Sequence, residues 1–121
     1  MHWFAVAAFA ITAALAGATQ APATTVRGEL ITVMCFVGNG EKGRGADHAA
    51  CALKCANEGY PLAIVTKSGE MYKIVGKLTE NNNIALRELL AKEVMAEGEI
   101  GEEGSGKTIA PQTVVLAPAQ K

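Results

Sequence analysis

Three cysteines and a histidine are the residues whose types and spacing could do chemistry in this sequence. His48, Cys51 and Cys55 occupy positions i, i+3 and i+7, and Cys35 precedes them across a glycine-rich stretch. On an α-helix, the first three would lie within about 60° of one another around the axis. Thiolate and imidazole groups bind zinc, and thiolates also suit monovalent copper. The pattern indicates a transition-metal site or a thiol redox site formed by Cys35, His48, Cys51 and Cys55.

The helical spacing limits how many of these residues one ion can contact. His48 and Cys55 would be about 10 Å apart along the axis, so two helix residues plus Cys35 form an easier ligand set than all three. The positive end of the helix and the basic loop before it would lower the pKa of Cys51 and favour its thiolate. The spacing differs from the C-x-x-C-H of covalent haem, which is therefore not expected.

The N-terminal part of the chain differs sharply in composition from the remainder. The sequence has 121 residues, and its eleven basic and twelve acidic side chains all lie from Arg27 onward. The apolar stretch from Trp3 to Ala18 has the length of a signal-peptide core and is shorter than the roughly 20 residues of a membrane span. We interpret residues 1–23 as a signal peptide cleaved after Ala18 or Ala23, or as an uncleaved anchor. A periplasmic or otherwise extracytoplasmic location follows.

Export changes how the cysteines are interpreted. In an oxidising compartment, two of Cys35, Cys51 and Cys55 can form a disulfide, which would stabilise a small domain by about 2–4 kcal/mol. The third cysteine would then need a separate explanation. The sequence leaves three interpretations open: a metal site, a thiol/disulfide redox site, or a disulfide that only holds together a structural or ligand-binding module.

Composition restricts the classes of function and partner. Residues 24–121 are long enough for one core, and we expect a single domain. The net charge of −1 gives no electrostatic reason to expect nucleic acid as a partner. After export, His48 would be the remaining histidine, so no Ser, His and Asp set can assemble, and an accessory protein is favoured over an enzyme. A periplasmic redox or metal-handling protein is the expected partner.

Hydrophobic patterning predicts the first half of the fold. Residues 27–37, RGELITVMCFV, are rich in apolar and β-branched side chains and predict a strand that ends near Cys35. A helix is expected over about residues 48–57, ending at Gly59. A β-hairpin that turns at Ser68-Gly69 should follow. These elements place the histidine and two cysteines on a helix beside the end of the first strand.

The second half predicts a further helix and two more strands. Residues 84–94, IALRELLAKEV, have apolar side chains at helical spacing, and two short strands around a glycine-rich turn come after them. The resulting order matches a mainly β fold with two helices, namely a five-stranded OB-like Greek-key barrel with its helix between the third and fourth strands. A ferredoxin-like α+β sandwich is the main alternative.

Two nucleotide-binding strings occur, but their contexts do not fit. Gly38–Gly43 matches G-x-G-x-x-G, yet the helix that should begin at once is delayed and a hairpin replaces the next crossover. Gly101–Thr108 matches G-x-x-x-x-G-K-[ST], yet β-rich sequence with a proline follows it instead of a helix. Neither NAD nor ATP is therefore expected as a cofactor. Zinc and copper are the ions that fit the cysteines.

Residues 28–75 resemble a group of small exported bacterial OB-like proteins of no established function. The shared features are a cysteine at the end of the first strand, a glycine-rich loop, the motif H-x-x-C-A-x-x-C, a G-x-P turn and a strand pair with D/S-G-x-x-Y. They correspond here to Cys35, residues 40–45, residues 48–55, residues 59–61 and residues 68–72. The resemblance implies that the cysteines and His48 form the site, and it implies no particular reaction. The acidic residue that such proteins carry shortly before the first cysteine is absent.

Overall fold

Five strands close into a barrel in the computed structural model, which describes residues 23–119. The strands are β1 (Thr24–Thr32), β2 (Leu62–Val65), β3 (Met71–Ile74), β4 (Glu93–Glu103) and β5 (Gly106–Leu116). Their order around the barrel is β1-β2-β3-β5-β4, with β3 and β5 parallel and the other neighbours antiparallel. The predicted OB-like barrel is thereby confirmed, and the ferredoxin-like alternative, which has an open sheet, is wrong.

The predicted leader lies outside the described residues except for Ala23, so its role as a signal peptide or anchor stays a prediction. Within residues 23–119, no helix has both the length and the apolar character needed to cross a membrane.

Three short α-helices accompany the barrel. They are α1 (Val33–Asn39), α2 (Ala49–Asn57) and α3 (Glu80–Asn83). The first two lie in the connection from β1 to β2, where single 3-10 turns at Gly40–Gly43 and Ala46–His48 join them. This connection contains all of the predicted site residues.

The first strand is shorter than its sequence predicts. β1 ends at Thr32, which pairs with Leu62, the first residue of β2. The residue before Leu62 is Pro61, which has no N–H to continue the ladder and only accepts a hydrogen bond from the Val33 N–H. Without a further strand partner, the chain turns into α1. The prediction that Cys35 ends a strand is therefore wrong, because Cys35 lies in a helix.

Apolar residues of β1 contribute to cores on both faces of the sheet, because successive strand residues point to opposite sides. Leu30 lies in the main core inside the barrel, where it joins Ala52 and Ala56 of α2. Ile31 lies in a smaller outer cluster, which packs against Val33 and Phe36 at the start of α1. The two helices are therefore attached to the barrel through different hydrophobic clusters.

The helix predicted over residues 84–94 does not form. The three residues before this segment, Asn81 to Asn83, have positive φ angles, so α3 is a left-handed turn and does not continue into a right-handed helix. Near its end, the Leu30 N–H donates to the Lys92 carbonyl, and the Ala91 N–H donates to the Leu30 carbonyl. Pairing with β1 thus draws the chain into an extended path, and β4 begins at Glu93. Only short helical turns connect β3 to β4.

The predicted ends of α2 and of both hairpins agree with the structure. Gly59 has a φ of 86° just after α2, and the following Tyr60 N–H donates to the Cys55 carbonyl, as in a Schellman ending. Ser68-Gly69 lies in the turn between β2 and β3, and the string from Gly101 to Thr108 surrounds the turn between β4 and β5. The second nucleotide-binding string is therefore part of a hairpin.

Candidate functional site

The three cysteine sulfurs lie together at the junction of α1 and α2. The Cys35 Sγ is 3.8 Å from the Cys51 Sγ and 3.9 Å from the Cys55 Sγ. All three sulfurs are within 4.8 Å of one another. The structure thus assembles the set expected from sequence, two residues of the second helix plus Cys35.

The hydrophobic packing of the two helices explains why the sulfurs meet. Cys51 and Cys55 are one turn apart on α2, and each directly precedes an alanine, Ala52 or Ala56, that is buried in the main core. The small alanine side chains let the helix approach the barrel closely. Cys35 lies in α1 just before Phe36, which packs on the outer cluster. The sulfur triangle is therefore positioned by side chains buried on both faces of β1.

The backbone of the glycine-rich loop lies in close contact with the backbone of Cys35. A side chain on Gly43 would overlap the Cys35 carbonyl group and approach the Phe36 nitrogen to 3.0 Å. Only a glycine lets the loop pass this close to α1. The glycine-rich loop therefore lies directly against the helix that carries Cys35, and Gly43 is the residue that permits this contact.

A carboxylate on the first strand also fixes the loop. The Glu29 carboxylate accepts a 2.7 Å hydrogen bond from the Gly45 N–H and pairs with the Arg44 guanidinium at 3.5 Å. Arg44 also lies 3.6 Å from the Glu41 carboxylate. Arg44 is thus paired with two carboxylates, and these ion pairs fix the loop that precedes α2.

Exposure differs among the three thiols, and all of them are free. Cys35 is only 6% exposed, Cys55 is half-buried and Cys51 is exposed. All three cysteines of the chain lie within residues 23–119, and none of them forms a disulfide. A group that approaches from solvent therefore reaches Cys51 first and Cys35 last.

Cys35 carries the thiol that ionises most readily. Burial raises its pKa, but the nearby side chains of Thr32 and His48 and the two neighbouring thiols outweigh burial and bring the pKa of Cys35 below its ordinary value. A hydrogen bond with Cys35 and then its charge raise the pKa of Cys51. Burial, followed by the same two effects, raises the pKa of Cys55 to about 11. The pKa of Cys51 is therefore raised, contrary to the low value predicted, and Cys55 and Lys54 offset only part of the effect of Cys35.

Thr32 and His48 provide the polar surroundings of Cys35. The Thr32 hydroxyl and the Nε2 atom of His48 are buried and have no conventional hydrogen-bond partner. Both side chains nevertheless lie near enough to Cys35 to lower its pKa. Among residues 23–119, the group within mutual ligand distance contains the three cysteines and excludes His48. The predicted fourth site residue is thus beside the triangle, next to Cys35.

Thr32 and Gly43 are the two residues of the site that the motif did not indicate. A hydroxyl three residues before Cys35 was the available signal for Thr32, since one turn of α1 brings such residues together. Nothing in the sequence distinguished Gly43 from the other glycines of its loop, because its role depends on a contact with Cys35.

Comparisons of the chain with protein-family models, curated proteins and solved structures found no match. The resemblance to small exported bacterial proteins accordingly stays a prediction from the sequence. The geometry of the site alone supports the assignment that follows.

Proposed function

We propose that this protein binds a transition-metal ion through Cys35, Cys51 and Cys55 and serves as an accessory to a metal-handling system. The observation that carries the proposal is the triangle of three sulfurs, with edges of 3.8 and 3.9 Å and a third edge within 4.8 Å. The extracytoplasmic location expected from the leader is part of the proposal. The partner would be a protein that delivers or receives the ion.

The sulfur spacing fits a bound ion better than a disulfide. With a metal–sulfur bond of about 2.3 Å, two thiolates of a tetrahedral site are about 3.8 Å apart, and those of a planar three-coordinate site are about 4.0 Å apart. A disulfide requires about 2.05 Å. The ion would therefore bind with little movement, whereas a disulfide would require the two sulfurs to approach by nearly half their separation.

Metal analysis of the full chain tests the proposal. The protein is purified under reducing conditions without added metal, loaded with zinc or with monovalent copper, and desalted. We expect one ion per chain, and a loss of at least about tenfold in affinity for Cys51→Ser. Ala50→Ser, an exposed change on the same helix, should leave binding unchanged. Absence of bound zinc and copper from the loaded protein would refute the metal function.

A second function, thiol/disulfide exchange, is favoured by the contact of Cys35 with two other thiols. The exposed Cys51 thiol would lose its proton, attack a disulfide of a partner and form a mixed disulfide, and the Cys35 thiolate would then displace the partner as a dithiol. The partner gains the two electrons that this chain loses on forming its own disulfide. Mass spectrometry of alkylated protein, after treatment with oxidised and reduced glutathione in turn, tests this function. Rapid reversible cycling would support it.

The structural alternative predicts a different result in the same experiment. If a disulfide only stabilises the domain, it should resist mild reductant, and the third thiol should stay unreactive. Metal binding would then be absent from the oxidised protein. The glutathione series therefore separates a redox site from a structural disulfide, and metal loading of the reduced protein tests the metal site.

A further inference from the structure

We infer that the site selects a soft monovalent ion of the Cu⁺ class, held by three sulfurs in a three-coordinate arrangement, over Zn²⁺. This inference deepens the proposed metal function and depends on it. The sulfur triangle carries it, together with the position of His48 outside the group of ligands. Three features of the site lead to this choice: its coordination number, its ligand chemistry and its exposure.

The number of ligands is the first argument. Zinc in protein structural sites almost always takes four ligands in a tetrahedron. Within the described part of the chain, the atoms in mutual reach are three sulfurs, with no nitrogen or carboxylate oxygen among them. Zinc would need a fourth ligand from solvent or another molecule. Monovalent copper has no such requirement, since three thiolates complete a trigonal site.

Ligand softness is the second argument. A set composed only of thiolates selects ions such as monovalent copper, whereas imidazole also suits zinc and divalent copper. The nearest imidazole, His48, lies beside Cys35 and has a buried Nε2 atom. The imidazole lies outside the group of mutually close ligand atoms. The hydroxyl of Thr32, which is 0% exposed, is placed to support the same sulfur.

Exposure and charge form the third argument. Cys51 is exposed, so the ion can enter or leave by exchange at that sulfur while Cys35 stays buried. Three thiolates and one monovalent cation leave two negative charges, and solvent at Cys51 and the nearby Lys54 ammonium offset part of them. Binding involves no electron transfer. The ion enters as Cu⁺, and the protons of the bound thiols pass to solvent.

Competition between the two ions on the reduced full chain tests the inference. The protein is loaded anaerobically with Cu⁺ supplied as an acetonitrile complex, and Zn²⁺ is then added in equal amount. We expect Cu⁺ to be retained with a preference of about 100-fold or more. X-ray absorption of the copper protein should show three sulfur neighbours and no nitrogen. His48→Gln should leave that spectrum unchanged, because the imidazole is not a ligand.

Two results would overturn the inference while leaving the metal function intact. One is zinc that displaces the copper. The other is a nitrogen neighbour that disappears in His48→Gln, which would make the site a four-coordinate set of three cysteines and a histidine. Failure of the folded wild-type protein to bind either ion would instead refute the metal function itself. The Ala50→Ser variant serves as the folding control in each measurement.

Discussion

Replacement of Gly43 by alanine gives the sharpest test of how the fold positions the thiols. Gly43 is buried, and a Cβ at this position would overlap the carbonyl group of Cys35. The Phe36 nitrogen, 3.0 Å from the same Cβ, blocks a simple sideways shift. The contacting atoms belong to the backbone of α1, so no side-chain rotation can relieve the overlap. Either the loop or α1 must move.

The expected effects of Gly43→Ala on stability and on metal affinity depend on how closely the backbone packs and on how precisely the sulfurs must be placed. Inserting a methyl group into a packed contact costs about 1–3 kcal/mol, and we expect the free energy of unfolding to fall by that amount. A metal site requires its ligand distances to hold within about 0.2 Å. A backbone shift of about 1 Å at Cys35 would exceed that tolerance, so we expect Gly43→Ala to weaken metal affinity by at least about tenfold.

Gly38→Ala supplies a matched control. Gly38 lies in α1, its added Cβ meets no atom within 4 Å, and it does not have a positive φ. Because alanine favours a helix over glycine, we expect this variant to be more stable by up to about 1 kcal/mol and to bind metal normally. Urea denaturation and metal titration of both variants provide the measurements. Wild-type stability and affinity in Gly43→Ala would refute the proposed role of the contact.

Three further predictions concern the support of the site and its protons. Asn83→Ala should lower the free energy of unfolding in urea by about 1–3 kcal/mol, because Asn83 is buried and donates hydrogen bonds to the carbonyl of Ala56 in α2 and to that of Tyr60 just beyond the helix. The exposed Asn57→Ala should change it by less than about 0.5 kcal/mol. Metal loading near neutral pH should release at least one proton per ion, because the pKa of Cys55 is about 11 and its thiol is still protonated there. For the same reason, metal affinity should fall as the pH is lowered. A titration in weak buffer that detects no proton release would contradict this prediction. Hydrogen bonds from Lys107 and a tyrosine hydroxyl hold the pKa of Glu70 below its ordinary value, so this pair stabilises the fold above the ordinary carboxyl pKa, and the stabilisation is lost as the pH falls through the lowered value. Lys107→Met should therefore weaken the dependence of the free energy of unfolding on pH in the acid range. The same pH dependence in the wild type and the variant would contradict this prediction.

The sequence predicted those elements that depend on the conformations of a few neighbouring residues. The turn at Ser68-Gly69 and the glycine that ends α2 at Gly59 depend on backbone conformations that few other residues adopt, so they appear directly in the sequence. The grouping of Cys51 and Cys55 followed from helical periodicity alone. The two hairpins of the barrel were predicted because tight turns of this kind join β2 to β3 and β4 to β5.

The elements that sequence reasoning missed depend on distant partners. Residues 33–37 have the composition of a strand, but Pro61 ends the pairing that would continue it. Residues 84–94 have helical periodicity, but hydrogen bonds to Leu30 draw their end into the barrel. Likewise, the low pKa of Cys35 depends on side chains brought near it by folding. Each case is a tertiary contact overriding a local preference.

The attachment of the two helices has an energetic consequence for the choice between metal and disulfide. α1 is fixed through the outer cluster and α2 through the main core, so the distance between their cysteines is set by packing on opposite faces of β1. A preformed triangle lowers the cost of binding, because few groups must be ordered when an ion arrives. A disulfide between Cys35 and Cys51 would instead bring their sulfurs from 3.8 Å to about 2.05 Å, which removes both sulfurs from the arrangement that an ion requires. Because the packing of the two helices already gives the sulfurs the spacing of thiolates around one ion, metal binding is the function that we propose first for this site.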